Sequence, residues 1–354
     1  MRYLLSFLIC IGSLYSNGQN NLGIDIVSNL PSAQVYFVGQ LHNNEANAII
    51  EEALLLSLHT KYDVQYQLLE YAHSAAFLIN RYLLTGDEDL LKFIHADAKF
   101  NFIKSIKAYN NNLSADKQIR FYGVDFENRQ NGKYTQKALA IILDQLKPPT
   151  SNSLALLLSD IVTAQPTDLE RSLIRLKSYI QENDSISRAL LGKYYLDVLL
   201  MANAQFNFSP RRDVSMVSNF FRMYDELANE GRDPKFFASF GTGHINPRNK
   251  NGIAMKLMLD QQSPVQNNVC VLGVQYFNCL FSKENVHKET DGSLNTLCKK
   301  TTVEKLSSLQ DNSKRIEFLS KPKLGLAYCD DAIQLLSGMI LVYNYGSTSF
   351  GFWE

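Results

Sequence analysis

Short apolar runs recur along the chain with longer amphipathic segments between them. The runs are Val35 to Val38, Val64 to Leu69, Ile119 to Val124, Phe236 to Phe240 and Val269 to Val274, with a final pair near Leu324 to Tyr328 and Met339 to Tyr343. Runs this short, rich in Val, Phe, Tyr and Leu, predict strands buried on both faces. The intervening segments, Ala46 to His59, Ala75 to Leu84, Asp89 to Ile94 and on through Tyr109, Lys133 to Leu146 and Val214 to Asn229, are helical in pattern. Strand alternating with helix predicts an α/β fold, a mostly parallel central sheet flanked by helices. From about residue 151 to 208 the alternation stops. "SLALLLSDIV", "DLERSLIRLKSYI" and "SRALLGKYYLDVLLMANAQF" are all helical in pattern, bounded by Pro148 and Pro149 before and "NFSPRRD" after. This segment reads as a helical insertion in a single domain covering 19–354.

The loops after the strands carry the chemistry. In parallel α/β sheets, ligands bind beyond the carboxyl ends of the strands, where several loops can reach one crevice. The first run leads into Gly39, Gln40, Leu41, His42 and Glu45, and the second into Glu70 and Tyr71. The third leads into Gly123, Asp125 and Glu127, the fourth into Gly241, Gly243 and His244, and the fifth into Gln275 and Tyr276. The strands hold almost no ionisable groups, so the convergence marks His42, Glu70 and His244 as candidates. Asp125 could equally cap the next helix. In "RRDVSMVSNFFRMYDEL", Asp213 is the expected N-cap, which puts Arg212 at the helix entrance, able to bind a carboxylate or an oxyanion. His59, His73, His95 and His287 lie in helical or polar-loop contexts and read as structural.

Charge narrows the partners. Lys plus Arg and Asp plus Glu both number 35, which leaves no net field to draw nucleic acid or anionic lipid. With 45% hydrophobic and 11% aromatic residues the chain can fill a packed core. The opening "MRYLLSFLICIGSLYSNGQ" has an early cation, a short apolar stretch and small residues up to Gly18, the order of a secretory signal peptide over 1–18. The expected location is therefore secreted or periplasmic. No later segment has the roughly 18 apolar residues needed for an integral membrane span. Loss of the signal leaves Cys270, Cys279, Cys298 and Cys329, an even number with three possible pairings, and a Cys279–Cys298 bridge would clamp the polar loop between them.

Two Gly-x-x-His motifs, Gly39 to His42 and Gly241 to His244, with a Glu ending the second strand, resemble the superfamily of erythromycin esterases, ChaN haem-binding proteins and Tiki/TraB proteases. The esterase branch looks closest: "GQLHNNE" is similar to its Gly-Glu-x-His loop with a later Glu, "INRYLLTGD" to its helix ending in Thr-Gly, and "RRDVSM" to its Arg-Asp-x-x-Met helix start. The resemblance implies that His42 is the base that activates water and that Glu45 supports it. It places His244, Glu70 and Arg212 around the oxyanion or substrate. Gln40, Asp125 and Tyr71, which also follow the strands, are expected to line the same site. One departure stands out: Gln40 occupies the acidic position of the motif, and an amide can neither take a proton nor balance an imidazolium.

The chemistry is reasonable without the family. An imidazole titrating near neutrality can accept a proton from water, and a neighbouring carboxylate fixes its tautomer. Hydrolysis of an ester or amide in a small-molecule substrate is the expected reaction. No Gly-x-Ser-x-Gly elbow is present to supply a serine nucleophile. Three alternatives stay open. His42, Glu70 and His244 could hold zinc or manganese, as the Tiki/TraB likeness implies. The chain could bind haem or another small ligand, with Tyr71, His73 or His42 as iron ligands, as the ChaN likeness implies. Or it could be a homologue that has lost catalysis, with Gln40 as the trace.

Overall fold

The computed structural model describes residues 22–94, 99–126, 132–146, 152–203, 212–281, 289–297, 303, 313–320 and 335–345. The expected signal peptide and the expected strand near Leu324 to Tyr328 lie outside the described residues, as do His95, Glu127, His287, Cys298 and Cys329. The fold is α/β with mainly parallel strands. The chain divides into two compact units: Met1–Gln65, Ser114–Ile119 and Lys235–Phe350 form the first, and Tyr66–Leu113, Arg120–Pro234 and Gly351–Glu354 the second.

In the first unit, β1 (Val35–Gln40) lies between β4 (Phe236–Gly241) and β5 (Val269–Cys279), both parallel to it. Beyond β5 comes β8 (Gly338–Tyr343), also parallel, and then β7 (Arg315–Ser320), antiparallel to β8. A short β6 (Glu289–Gly292) pairs antiparallel with β5. Val35, Tyr36, Phe37, Phe236, Phe237 and Phe240 are buried, as strands covered on both faces require. Cover on this unit includes α1 (Ala46–Tyr62), which ends at Asp63 in the left-handed conformation with its N–H bonded to His59 O and Leu58 O.

β5 runs five residues past the expected end at Val274, so Gln275 and Tyr276 are strand residues and not loop residues. Their side chains find partners on neighbouring elements: Gln275 Nε2 donates to Asn295 Oδ1 at 2.9 Å, and the Tyr276 hydroxyl donates to Oδ1 of Asn47, at the start of α1. Cys270 and Cys279 are buried in the same strand, and the Cys279 thiol lies 3.4 Å from Phe277 O.

In the second unit, β2 (Tyr66–Leu69) and β3 (Arg120–Gly123) pair in parallel. Asn80, on α2 (His73–Thr85), pairs with Phe121 of β3: Nδ2 donates to Phe121 O at 2.7 Å and Oδ1 accepts from Phe121 N at 2.8 Å. One amide side chain thus satisfies backbone groups that a further strand would otherwise take. The helix ends at Gly86, whose N–H reaches Tyr82 O at 2.7 Å, so the Thr-Gly of "INRYLLTGD" is a helix terminus.

α3 (Glu88–Phe93), α4 (Phe100–Asn110) and α5 (Gly132–Leu146) follow. The described part of 151–208 is helical: α6 (Ser153–Thr163), α7 (Leu169–Glu182), α8 (Asp184–Leu191) and α9 (Tyr195–Ala202). Asn152 caps α6 by accepting from Leu154 N and Ala155 N at 2.9 and 3.2 Å. Arg188 of α8 forks onto Glu226 of α10 (Arg212–Asn229) through two 2.7 Å bonds, tying these helices together.

Candidate functional site

The two histidine loops leave from one end of adjacent strands. Gln40 stands opposite Gly241 in the parallel register of β1 and β4, so the chain enters the His42 loop and the His244 turn at the same level. Neighbouring strands lie about 4.8 Å apart. His244 belongs to the one-turn helix α11 (Thr242–Ile245), which is laid against the end of β1. Two contacts hold it there. The Thr242 hydroxyl donates to Gln40 O at 3.2 Å, and the buried Ile245 side chain fills the space over Gly39. A Cβ on Gly39 would sit 2.5 Å from Ile245 Cδ1, so the glycine of the first Gly-x-x-His motif allows the second motif to approach. His42 itself is exposed and His244 half-buried.

Gln40 is 6% exposed, and its Nε2 donates to Ser239 O at 3.3 Å across the β1–β4 pair. A carboxylate at this position would face that carbonyl with no proton to offer. The departure from the Gly-Glu-x-His pattern therefore gives this chain a cross-strand clamp in place of an acid. Glu45, expected beside His42, stands at the N-cap of α1 and pairs with Lys314.

The His42 loop is rich in asparagines with structural tasks. Asn43 adopts φ 67°, a left-handed conformation that Asn tolerates better than most residues. Asn44, buried, accepts from Ala46 N at 3.0 Å and donates to Leu280 O at 3.0 Å. Asn47 Nδ2 donates to Leu41 O at 2.6 Å. Two of these residues also reach across the fold, Asn44 to Leu280, just after β5, and Asn47 to Tyr276, inside it, and no local pattern in the sequence records those partners.

The second unit collects the other candidates. Glu70 and Asp125, just past β2 and β3, are 9% and 5% exposed, and Arg212 joins them. Arg212 Nε lies 2.9 and 3.0 Å from the two Asp125 oxygens, Nη2 also bonds Asp125 Oδ2, and Nη2 lies 3.1 Å from Glu70 Oε1. Asp125 Oδ1 accepts from Phe126 N as well, at 2.8 Å, so Asp125 binds the guanidinium and its own loop rather than capping a helix. The Phe126 ring lies 5.4 Å from the guanidinium carbon.

Burial pushes the Asp125 carboxyl above its ordinary range, against the opposing effect of Arg212. Arg212 is raised despite the desolvation that opposes it, because Asp125 and Glu70 favour its charged form. The carboxylates that Arg212 meets are thus the chain's own, which fixes all three side chains. Arg212 begins α10, so Asp213 lies in the first turn and not at the expected N-cap; a carboxylate there still meets the positive end of the helix dipole. Tyr71 is half-buried, with its ring 6.2 Å from that of Tyr134.

His73, read from sequence as structural, is buried at the start of α2. Its Nδ1 accepts from Gly123 N at 3.3 Å, which leaves Nε2 to carry the proton and donate to Asp197 at 2.8 Å. His59 Nε2 bonds Lys117 O at 2.8 Å. Among the described residues no group of three or more His, Cys, Asp or Glu side chains is disposed to hold a metal ion. Glu70, expected in such a set, already faces a guanidinium, whose positive charge opposes a second cation at that carboxylate.

No protein-family model and no curated protein sequence matches the chain. Solved structures do match. A protein from Bacillus cereus aligns with TM-score 0.56 and 12% identity over 90% of each chain. A succinoglycan biosynthesis protein aligns with TM-score 0.56 and 13% identity over 89% of this chain and 88% of that one. The erythromycin esterase EreC, a mutant in its open conformation, aligns with TM-score 0.53 and 14% identity over 90% of this chain and 92% of that one. The chain has the erythromycin esterase fold. Identities this low establish fold alone, and the site rests on the residues described above. Among the described residues no helix is long and apolar enough to cross a membrane.

Proposed function

We propose that the protein is an exported hydrolase in which His42 activates water to attack an ester or amide of a small-molecule substrate. The supporting observation is the β1–β4 register, with Gln40 opposite Gly241 and α11 laid over Gly39, which brings the His42 loop and the His244 turn to one strand end. Water gives a proton to the His42 imidazole as its oxygen adds to the carbonyl carbon. Negative charge then develops on the carbonyl oxygen, where a His244 N–H can donate. Collapse of the adduct breaks the bond to the leaving group, which takes the proton back from His42. No step is routed through a metal, since the carboxylate expected among its ligands is bonded by Arg212.

Release of p-nitrophenol from short-chain p-nitrophenyl esters tests the reading. Loss of turnover in both His42→Ala and His244→Ala, with folding retained, supports it; full activity in either variant refutes it. The use of Gln40 as a clamp favours a second reading, a small-ligand binding protein without catalysis. A Soret band on adding haem, with no ester turnover by the wild type, would establish that reading instead.

A further inference from the structure

The loop that carries His42 is anchored from the far side of the chain. Tyr276, inside β5, donates its hydroxyl to Asn47 Oδ1, and Asn47 Nδ2 donates to Leu41 O at 2.6 Å. Leu41 is the residue before His42. Tyr276 is buried, and burial pushes its hydroxyl far above the ordinary phenol range, so it remains a proton donor. A donor at this point fixes which end of the Asn47 amide faces Tyr276, and so presents Nδ2, not Oδ1, to the Leu41 carbonyl. The loop's other features do not do this: Asn44 holds the segment after His42, and Asn43 sets the turn. An exposed imidazole on a surface loop would otherwise follow the motion of its backbone.

We propose that Tyr276 and Asn47 are positioning residues that hold the His42 backbone, through the Leu41 carbonyl, in the orientation the reaction needs. The proposal rests on the reading of His42 as the base. Neither residue touches the reacting atoms; each acts through Leu41. The arrangement assigns Asn47 a task that neither Asp nor Ala can perform, since Asp lacks the N–H and Ala lacks both ends of the relay.

The test is read first without substrate, in the full chain labelled with 15N-histidine. The His42 ring signals are assigned by their loss in His42→Ala. One sharp set is expected in the wild type, with broadened or doubled signals in Tyr276→Phe and Asn47→Asp. Tyr36→Phe serves as the control: its hydroxyl accepts from Ala33 N at 2.8 Å and donates to Pro31 O at 3.0 Å, at the opposite end of β1, so it should lose comparable stability with the His42 signals unchanged. Ester turnover is the second readout. In Tyr276→Phe and Asn47→Asp, kcat should fall on the order of 10-fold or more with KM within about two-fold, the pattern of a misplaced group.

His42 signals in both variants that are identical to wild type would overturn the proposal, as would a change equal to that in Tyr36→Phe. Full activity in His42→Ala refutes the hydrolase reading itself and leaves the anchoring to be judged by the ring signals alone. Inactive His42→Ala with unaltered kcat in Tyr276→Phe and Asn47→Asp removes the positioning role and leaves the base in place.

Discussion

Replacing Arg212 by Met removes a cation bonded to two buried carboxylates while keeping most of the apolar volume. Arg212 bonds Asp125 through Nε at 2.9 and 3.0 Å and Glu70 through Nη2 at 3.1 Å, with its own side chain 23% exposed. Leaving a buried charge without its partner costs about 3–5 kcal/mol. Partial access of water to Arg212 argues for the lower end, about 3 kcal/mol. With a urea m-value of about 3 kcal/mol/M, the midpoint should fall by roughly 1 M at pH 7. The pH dependence has a definite sign. Burial already raises Asp125 in the folded state, and Arg212 opposes that rise. Without the arginine the folded-state value climbs further above the unfolded value of about 3.9. A group raised on folding adds stability that is fully present below its unfolded value and is lost as pH rises through its folded value. The Arg212→Met loss should therefore be larger at pH 7 than at pH 5. Adding Asp125→Asn and Glu70→Gln to Arg212→Met should restore most of the midpoint. A loss below about 0.3 M urea, or an equal loss at both pH values, would refute the fixed-charge account of these three residues.

Two further perturbations address the elements that carry the site. Gly39→Ala forces a Cβ against the fully buried Ile245, which should cost about 1–3 kcal/mol and lower ester turnover by displacing α11, with Ile245→Ala partly restoring both; thermal unfolding and turnover assays check this. Asn80→Ala leaves the Phe121 N–H and C=O without the partners they have at 2.8 and 2.7 Å, so stability should fall by about 1–3 kcal/mol and the Phe121 amide should exchange hydrogen faster, as measured by native-state exchange.

What was legible in the sequence is what short-range pattern encodes. Strands buried on both faces, such as Phe236 to Phe240, announce themselves by continuous apolar runs, and the polar residues after them mark the strand ends. β6 and β7 left no such mark. "ETDG" and "RIEFLS" are short, polar or partly exposed strands, paired antiparallel at the margin of their unit, where hydrophobic continuity is not required. β5 ran longer than its apolar run because Gln275 and Tyr276 find partners inside the fold, which no local pattern records. The site was legible in the same uneven way. His42 and His244 do lie just past β1 and β4, as their positions in the sequence indicated, and Glu70, Asp125 and Arg212 do come together. That Arg212 is held by two carboxylates, that Gln40 clamps Ser239, and that Asn47 meets Tyr276 are long-range facts, joining residues 87, 199 and 229 positions apart. The His73–Asp197 pair escaped notice for the same reason.

The central claim is that the two imidazoles at the shared end of β1 and β4 act on one small molecule. A crystal grown with an alkylphosphonate monoester, a stable tetrahedral mimic of the ester adduct, tests this most directly. The account predicts a phosphonate oxygen within about 3 Å of a ring nitrogen of His42 and another at the same distance from His244. A phosphonate bound elsewhere, or held by one imidazole with the other turned away, would contradict it.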